Sequence, residues 1–369
     1  MPIFMDRHNV SADVNAEHVA QLHTEDLKIQ HLFGCKGMTY WFDGARKTAF
    51  CLIEAPNKEA IQKMHDQAHG DVPHMIIEVD STVVESFLGR IEDPKKSKNT
   101  ELNIINDPAF RTIMLIKLEQ LSLELSGFDT RKTALQTFGN SIVNTISSYK
   151  GRVVNQKPDY FLTSFDSVTN AVSCAIEIKT MLQQVLINEM EGNLKVKIGL
   201  SAGVPVTEKA GLFEDTIKLA DRLCDVSNGQ IVVSSEVKDL FESENLNVSI
   251  NRELVHTFNP NDEYFLNALM DYIESEWSNT ALNITEFSKR LGYSKSQLYR
   301  KMIATTGKSP NKFIKDYRMH KALKLLNKQS GNISEIAFET GFNSLAYFSK
   351  CFQESFGILP SKYIRPHSV

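Results

Sequence analysis

Ile284-Thr-Glu-Phe-Ser-Lys-Arg-Leu-Gly292 and Ile333-Ser-Glu-Ile-Ala-Phe-Glu-Thr-Gly341 are two copies of one pattern near the end of this 369-residue sequence. Similar residues follow each copy: Leu298, Gly307, Pro310, Lys312 and Phe313 after the first, and Phe348, Gly357, Pro360, Lys362 and Tyr363 after the second. A repeat of roughly 50 residues indicates a repeated supersecondary unit. In each copy a short helix with apolar periodicity ends at a glycine and a second helix follows, which is typical of a helix-turn-helix. Two such units in tandem indicate DNA binding.

The charge of the chain is divided unevenly between the repeat and the rest. The whole sequence has a net charge of -4. From Asn283 onward it contains 15 Lys and Arg against 5 Asp and Glu, a net of +10, whereas the preceding residues contain 26 and 40, a net of -14. The basic part coincides with the repeat, as expected for a nucleic-acid-binding region.

Composition and the first residues exclude several classes of protein. There is no apolar run of membrane-spanning length, and Met1-Pro-Ile-Phe-Met-Asp-Arg7 lacks the basic start and apolar core of a signal peptide. The five cysteines are scattered and odd in number, which favours reduced thiols over a disulfide framework. We therefore expect a cytoplasmic protein with no membrane partner.

The acidic part of the chain divides into two α/β units. Residues 1–92 have the predicted order β-α-β-β-α-β, with elements at residues 2–5, 16–33, 38–42, 48–53, 58–68 and 75–79. This order predicts a ferredoxin-like α/β sandwich. Residues 93–110 begin with a polar, charged and proline-containing stretch and are interpreted as a linker.

The second α/β unit is predicted over residues 111–258. Its strands are predicted at residues 112–118, 151–155, 160–165, 195–202 and 230–234, and its helices at residues 130–149, 167–188 and 215–224. Residues 262–369 are helical throughout in their pattern. The expected fold is therefore multidomain α+β, ending in an all-α double helix-turn-helix domain.

The two predicted recognition helices are residues 295–304 and 344–356. The segment joining the two units forms a helix of about 20 residues, or about 30 Å, close to the ~34 Å between successive major grooves on one face of DNA. One chain can thus serve adjacent grooves without dimerising. The candidate base-reading residues are the outward, N-terminal ones: Lys295, Ser296, Gln297, Arg300, Asn343, Ser344, Ala346, Tyr347 and Lys350.

Each of these nine residues has an alternative role, in which it contacts phosphate or only faces solvent. The apolar residues on the same two helices have a different prediction. Their spacing places them on the buried stripe of each helix, so we expect core positions for Leu298, Ile303, Phe348 and Phe352.

Residues 266–365 resemble the C-terminal domain of the AraC family of transcription regulators. The resemblance rests on Ile333-Ser-Glu-Ile-Ala-Phe-Glu-Thr-Gly-Phe342, Tyr347-Phe-Ser-Lys-Cys-Phe352 and Phe356-Gly-Ile-Leu-Pro-Ser-Lys-Tyr363. It implies a seven-helix domain that binds double-stranded promoter DNA and often contacts RNA polymerase.

Seven of the ten histidines lie in the first unit. His23 and Asp26 share one face of the first predicted helix, and His65 and His69 are spaced i, i+4 on the second. Imidazole with carboxylate suits nickel, zinc or copper, to which Cys35 or Cys51 would add a softer donor. The alternative is that these are ordinary histidines on solvated helices.

The first unit also resembles the small nickel-binding proteins with a ferredoxin-like fold, over about residues 1–88. The matching stretches are Phe4-Met-Asp-Arg-His8, Cys51-Leu-Ile-Glu-Ala-Pro56 and His65-Asp-Gln-Ala-His-Gly70. The hypothesis is a divalent metal site, nickel first with zinc or copper as alternatives, formed by His23, Asp26, His65 and His69, with His8 as a further candidate.

The middle unit resembles the class III adenylate and guanylate cyclase homology domain over about residues 111–240. The matching stretches include Asp159-Tyr-Phe-Leu-Thr-Ser-Phe165, Val196-Lys-Ile-Gly-Leu-Ser-Ala-Gly203 and Asp215-Thr-Ile-Lys-Leu-Ala-Asp-Arg-Leu223. Active members need two metal-binding carboxylates together with an Asn and an Arg.

That catalytic set is incomplete here. Lys117 stands at the first carboxylate position, Lys218 at the Asn position and Asn155 at the base-recognition Lys position, whereas Asp159 and Arg222 are retained. The resemblance therefore implies an inactive module used for homodimer formation or for nucleotide sensing, with Asp159 and Arg222 as possible nucleotide-binding residues.

Together these patterns predict a transcription regulator controlled by a metal ion, a nucleotide or both, and not an enzyme. Two alternatives stay open at this point. One is a nucleotidyl cyclase or other metal-dependent catalyst with an attached DNA-binding domain. The other is a metal-buffering protein whose DNA binding is autoregulatory.

Overall fold

Three folded units follow one another along the chain. The computed structural model describes residues 1–95, 102–120, 128–189, 194–246 and 250–364. Within these ranges, no helix combines the length and the apolar character needed to cross a membrane. The units are an α/β sandwich, a larger α/β unit and a helical C-terminal unit, which confirms the predicted fold class.

The N-terminal unit is a four-stranded antiparallel sheet with two helices over one face. Its elements are β1 (Ile3–Asn9), α1 (Ala16–Ile29), β2 (Lys36–Asp43), β3 (Thr48–Glu54), α2 (Lys58–Ala68), β4 (Met75–Val79) and α3 (Ser81–Leu88), with a 3₁₀ turn Gln30–Phe33 after α1. The strand order β2-β3-β1-β4 places β1 in the centre. Helices α1 and α2 begin at Asn15 and Asn57, whose side-chain oxygens accept backbone N–H groups of the first turn.

The middle unit is a six-stranded sheet in the order β10-β9-β8-β5-β7-β6. Its elements are β5 (Arg111–Gln120), α4 (Phe128–Ser148), β6 (Arg152–Lys157), β7 (Tyr160–Phe165), α5 (Val168–Glu189), β8 (Leu194–Gly203), α6 (Glu214–Val226), β9 (Ile231–Val233), α7 (Ser235–Glu244) and β10 (Val255–Thr257). Strand β5 is antiparallel to both β7 and β8, and β8, β9 and β10 are parallel.

One face of this sheet packs on α4, α5 and α7, and the other carries α6. Helix α6 lies directly on β8 because Gly199 has no side chain. A Cβ at Gly199 would collide with the carbonyl oxygen of Ala220 and the backbone nitrogen of Cys224. Helix α6 is therefore packed closely against the sheet.

The C-terminal unit consists of α8 (Pro260–Glu276), α9 (Ile284–Arg290), α10 (Lys295–Thr306), α11 (Pro310–Asn327), α12 (Ile333–Glu339), α13 (Leu345–Phe356) and α14 (Pro360–Ile364). Capping residues account for the repeat that the sequence shows. The side chain of Ser294 caps α10 and that of Ser344 caps α13, while Gly307 and Gly357 end these helices with φ of 69° and 84°. Glycine adopts this left-handed conformation without a steric penalty.

The N-terminal and middle units share one apolar core. Met5 and Phe87 from the first unit and Val206 and Phe213 from the second are buried in it, and the rings of Phe87 and Phe213 lie 5.0 Å apart. The described part of the predicted linker also packs on the first unit: Ile105 is 4% exposed and its N–H donates to the Tyr40 hydroxyl at 2.9 Å. The two front units are therefore joined by packed contacts.

Candidate metal centre and nucleic-acid interface

Strand β1 and helices α1 and α2 bring together a buried cluster of carboxylates and imidazoles. His65 lies on α2 with its Nε2 3.1 Å from Asp6 Oδ2 and its Nδ1 3.1 Å from Asp26 Oδ1. His69, at the end of the same helix, places its Nε2 3.3 Å from Asp26 Oδ1. Asp6, Asp26 and His65 are 1%, 5% and 1% exposed, so this polar cluster is shut off from solvent.

The donor atoms form two adjacent groups. One consists of Asp26, His65 and His69, the other of Asp6, His8 and Cys51, and within each group the donor atoms lie within 4.8 Å of one another. Asp6 connects the groups because it contacts both His65 and His8, the latter at 3.5 Å. Asp6 also accepts the backbone N–H of Cys51 at 2.9 Å. The arrangement matches the imidazole, carboxylate and thiolate donors of a divalent transition-metal site.

Several buried donor atoms of this cluster lack a well-directed hydrogen bond. They are both ring nitrogens of His8 and Oδ1 of Asp26, which have ion-pair contacts but no hydrogen bond of good geometry. Buried polar atoms in folded proteins nearly always form well-directed hydrogen bonds, so these atoms are available to a further partner. A divalent cation supplies one for imidazole nitrogen and carboxylate oxygen together. The residues present therefore fit a metal ion.

Attraction between the carboxylates and the imidazoles stabilises the cluster without a metal ion. Burial alone would lower the pKa of His8 and His65, but the carboxylate of Asp6, joined at His65 by Asp26, outweighs burial and raises them to about 9 and about 10. Burial would raise the pKa of Asp6, yet the two imidazoles outweigh it and lower that pKa well below its usual range. The two protonated imidazoles thus supply the positive charge that a bound metal ion would otherwise supply to the carboxylates.

The cluster differs in two residues from the set predicted by spacing. Asp26, His65 and His69 are brought together as predicted, and His8 lies in the adjoining group. His23 lies apart from both groups: its Nε2 is 3.5 Å from Asp93 Oδ2, and its ring lies 4.9 Å from the ring of Tyr40. Asp6 was missed, although its i, i+2 spacing to His8 puts both side chains on one face of a strand.

Helices α10 and α13 present the predicted reading residues to solvent. All nine are exposed; Asn343 and Ser344 directly precede α13, and the other seven lie in the N-terminal halves of the two helices: Lys295, Ser296, Gln297, Arg300, Ala346, Tyr347 and Lys350. Two of them also have local structural roles. Gln297 accepts the N–H of Ser294 at 2.9 Å in a capping box, and the hydroxyl of Ser344 accepts the N–H of Tyr347 at 3.3 Å.

The core positions of the two helices agree with prediction except for one. Leu298, Phe348 and Phe352 are fully buried, but Ile303 is 41% exposed, so its predicted core position is wrong. At about 100° per residue, Ile303 lies about 140° around the helix from Leu298 and therefore leaves the buried stripe. Tyr299, 48% exposed, lies beside Arg300 on the reading side of α10 and was not predicted.

The two residues proposed for nucleotide binding lie in different settings. Asp159 is exposed in the turn between β6 and β7. Arg222 lies on α6 and is 3% exposed. Lys117, at the position where the cyclase resemblance calls for a carboxylate, has its ammonium 2.8 Å from Asp221 and 2.5 Å from Asp225. The ammonium group of Lys117 therefore forms ion pairs with both of these carboxylates.

Comparison with known families decides the nature of the C-terminal unit. Residues 287–366 match the family described as helix-turn-helix domain. The C-terminal unit is an AraC-type helix-turn-helix domain. Residues 4–79 match a second family, described as nickel responsive protein SCO4226-like. The two matches cover opposite ends of the chain.

Relatives of this chain include proteins with very different overall lengths. It is 38% identical over 107 residues to a protein named histidine kinase P4 from Formosa agariphila, covering 29% of this chain and 8% of that protein. It is 29% identical over 100 residues to the HTH-type transcriptional regulator MtrA of Neisseria gonorrhoeae, covering 27% of this chain and 32% of the regulator. The chain spans less than a third of either relative.

Two solved structures are similar to parts of the chain other than the AraC-type domain. SCO4226 from Streptomyces coelicolor is 32% identical, with 21% of this chain and 94% of that chain covered and a TM-score of 0.20. An adenylate/guanylate cyclase/hydrolase from Silicibacter pomeroyi is 25% identical, with 37% of this chain and 81% of that chain covered and a TM-score of 0.32.

The guanidinium of Arg222 is engaged by the AraC-type domain. It donates to the carbonyl oxygen of Asn267 at 3.2 Å and to its side-chain oxygen at 2.7 Å, and it pairs with Asp271 and Glu274, all on α8. Lys218, one turn earlier on α6, lies 2.8 Å from Asp271. No sequence signal pointed to these contacts, because α6 and α8 are separated along the chain and joined only by folding.

Proposed function

We propose that this protein is a DNA-binding transcription regulator whose binding to promoter DNA is controlled by a divalent metal ion, nickel first. The observation that carries DNA binding is the pair of capped helices α10 and α13, which expose all nine candidate reading residues on an AraC-type domain. Base-reading side chains lie at the N-terminal part of a recognition helix in helix-turn-helix proteins.

The spacing of the two helices supports a bipartite site on one duplex. Helix α11 joins the two units and contains 18 residues. At 1.5 Å per residue it spans about 27 Å, comparable to the ~34 Å between successive major grooves on one face of the duplex. The positive charge of the last 87 residues supplies the attraction to phosphate.

The buried cluster supports metal as the controlling ligand. Asp26, His65 and His69 would hold the ion, with Asp6 and His8 beside them. These donors suit nickel, zinc or copper, and a bound ion would give a ligand bond to the atoms of His8 and Asp26 that lack a well-directed hydrogen bond. The match of residues 4–79 to the nickel responsive family favours nickel.

Strand β1 connects the metal cluster to the middle unit. Asp6 points to the cluster, whereas its neighbours Met5 and Arg7 point the other way. Met5 is fully buried in the core shared with the middle unit, and Arg7 donates to the carbonyl oxygen of Val206 at 3.2 Å. A displacement of Asp6 on metal binding would therefore shift the contact between the two units.

The ion pairs of Arg222 and Lys117 favour a metal ion over a nucleotide as the effector. The same ion pairs give no support to a cyclase reaction. Arg222 is engaged by α8, and the ammonium of Lys117 occupies two carboxylates near it. A two-metal cyclase mechanism needs carboxylates free to bind cations. Contact with RNA polymerase and a homodimer formed through the middle unit belong to the same proposal.

The proposal is tested by two binding measurements on the full chain. Duplexes selected by the purified protein from a random-sequence pool should share a bipartite motif with two parts about one helical turn apart. Calorimetry on metal-free protein should show nickel binding with proton release, because His8 and His65 must lose their protons. Selection of no common motif would contradict DNA reading, and absence of nickel, zinc and copper binding would contradict metal control.

A further inference from the structure

We propose that the middle unit is a structural part of the first DNA-reading unit, and that Arg222 is the residue that positions it. This inference rests on the proposed DNA binding by α10 and α13. It gives the cyclase-like middle unit a role that needs neither nucleotide nor catalysis. It also assigns a role to Arg222 other than the nucleotide contact that the cyclase resemblance implies.

Arg222 is placed as an anchor between two units. An arginine side chain that is 3% exposed is unusual unless its charge is paired. Here the guanidinium meets two carboxylates and two oxygens of Asn267, all on the first helix of the AraC-type domain. Lys218 adds a second cation to Asp271. Removal of Arg222 would leave this group of acceptors on α8 short of a partner.

A second contact reaches the end of the first reading helix itself. The side-chain amide of Asn228, in the loop after α6, donates to the carbonyl oxygen of Thr306 at 3.1 Å. Thr306 is the last residue of α10. A Cβ on the next residue, Gly307, would collide with the same amide group. The loop of the middle unit therefore fixes the C-terminal end of α10.

Apolar packing continues across the same boundary. Leu223 and Val226 of α6 belong to one buried core that also contains residues of α8, α9 and α10. The members from α10 are Leu298 and Met302, which form the buried side of the first reading helix. The reading face of α10 is exposed, so this packing orients the helix without covering it.

The second reading unit is held differently. Its core consists of residues from Met319 to Phe356, with Tyr363 and Ile364 packed against it. All of these belong to the AraC-type domain. The middle sheet contacts the connecting helix α11, where His320 Nε2 lies 2.7 Å from Oε1 of Glu119 on β5. We infer that the middle unit orients α10 directly and α13 only through α11.

The test compares Arg222→Gln with Arg252→Gln in the full chain. Arg252 is an exposed loop arginine of the same unit and controls for loss of one charge. The probe is the duplex selected by the wild-type protein from a random-sequence pool, and protection of its two halves is measured by footprinting. Arg222→Gln should weaken protection of the half read by α10 roughly tenfold more than the half read by α13. Arg222→Lys should restore part of the difference, since it keeps one charge.

Equal weakening of both halves, or no weakening, would overturn the proposal. Equal weakening is what a general loss of stability would produce. Hydrogen exchange on the same variants without DNA provides a readout independent of DNA binding. Amides of α9 and α10 should exchange faster in Arg222→Gln than in wild type, with those of α12 and α13 unchanged. Unchanged exchange in α9 and α10 would contradict the positioning role, whereas failure of wild type to select DNA would contradict the proposed function alone.

Discussion

The metal cluster and the reading surface use burial in opposite ways. Asp6 and His65 are each 1% exposed, and their polar atoms face one another. Arg300 and Asn343 are exposed and point to solvent. A small ion is bound by surrounding it with buried donors, whereas a polyanion is bound by side chains that reach out. Substitutions in the cluster should therefore change stability and metal affinity together, and substitutions on the reading surface should change DNA affinity alone.

The largest effect is expected from His65→Ala. Structural zinc sites of about four ligands bind with about 10–16 kcal/mol, so one ligand accounts for about 2.5–4 kcal/mol, or about a hundredfold or more in affinity. Calorimetry with nickel should show this loss. His18→Ala, on an exposed histidine of α1, should bind nickel like wild type. Equal nickel affinity in the two variants would exclude His65 as a ligand.

Raising the pH should destabilise the metal-free protein. Against the opposing effect of burial, Asp6 and Asp71 raise the pKa of His8 to about 9, and Asp26 and Asp6 raise that of His65 to about 10, from an ordinary value of 6.5. The stability due to their protonation is fully present below pH 6.5 and is lost as the pH rises through 9 and 10. One pKa unit corresponds to about 1.4 kcal/mol, so the expected loss amounts to several kcal/mol.

Urea denaturation at pH 7 and pH 10 measures this loss. Nickel-loaded protein should lose less stability over the same interval, because ligand imidazoles are already neutral. Metal-free protein that is as stable at pH 10 as at pH 7 would show that the buried imidazoles are not protonated.

Arg300→Ala should weaken DNA binding by about tenfold and relax the base preference at one position, as loss of a bidentate base contact does. Its free energy of unfolding should stay within about 0.5 kcal/mol of wild type, because the side chain is exposed. Arg290→Ala, at the exposed end of α9, is the matched control. The same loss in both variants would point to general electrostatic attraction instead of base reading.

The smallest effect is expected from Lys350→Ala. Lys350 is exposed and lies only 4.0 Å from Glu354, a weak surface pair. If it contacts phosphate, affinity should fall about threefold for every sequence, and the slope of log affinity against log salt should become shallower by about 0.9. A sequence-dependent loss would instead assign Lys350 to base reading.

The same contrast explains what the sequence could predict. The reading helices depend on local signals: the capping serines, the terminal glycines and the apolar stripe all lie within each repeat. Ile303 was misplaced because an apolar residue one position off the stripe looks like a core residue in sequence. The exposure of the seven reading residues that lie within the helices follows from the same local periodicity.

The metal cluster and the middle unit depend on distant contacts. Asp6, Asp26 and His65 come from three elements, so spacing along one helix could find only part of the set. His23 shares a helical face with Asp26 but turns to Asp93, whose position the sequence did not predict. Arg222 was interpreted through the cyclase resemblance, and only the docking of α8 shows its partners.

Metal control of DNA binding is tested most directly by the DNA affinity of the full chain over a nickel titration. The duplex selected by the wild-type protein serves as the probe, and His65→Ala is titrated in parallel. Wild-type affinity should change at least about fivefold as nickel saturates the protein, while that of His65→Ala stays constant. Wild-type DNA affinity that remains constant through a titration that demonstrably fills the site would contradict metal control.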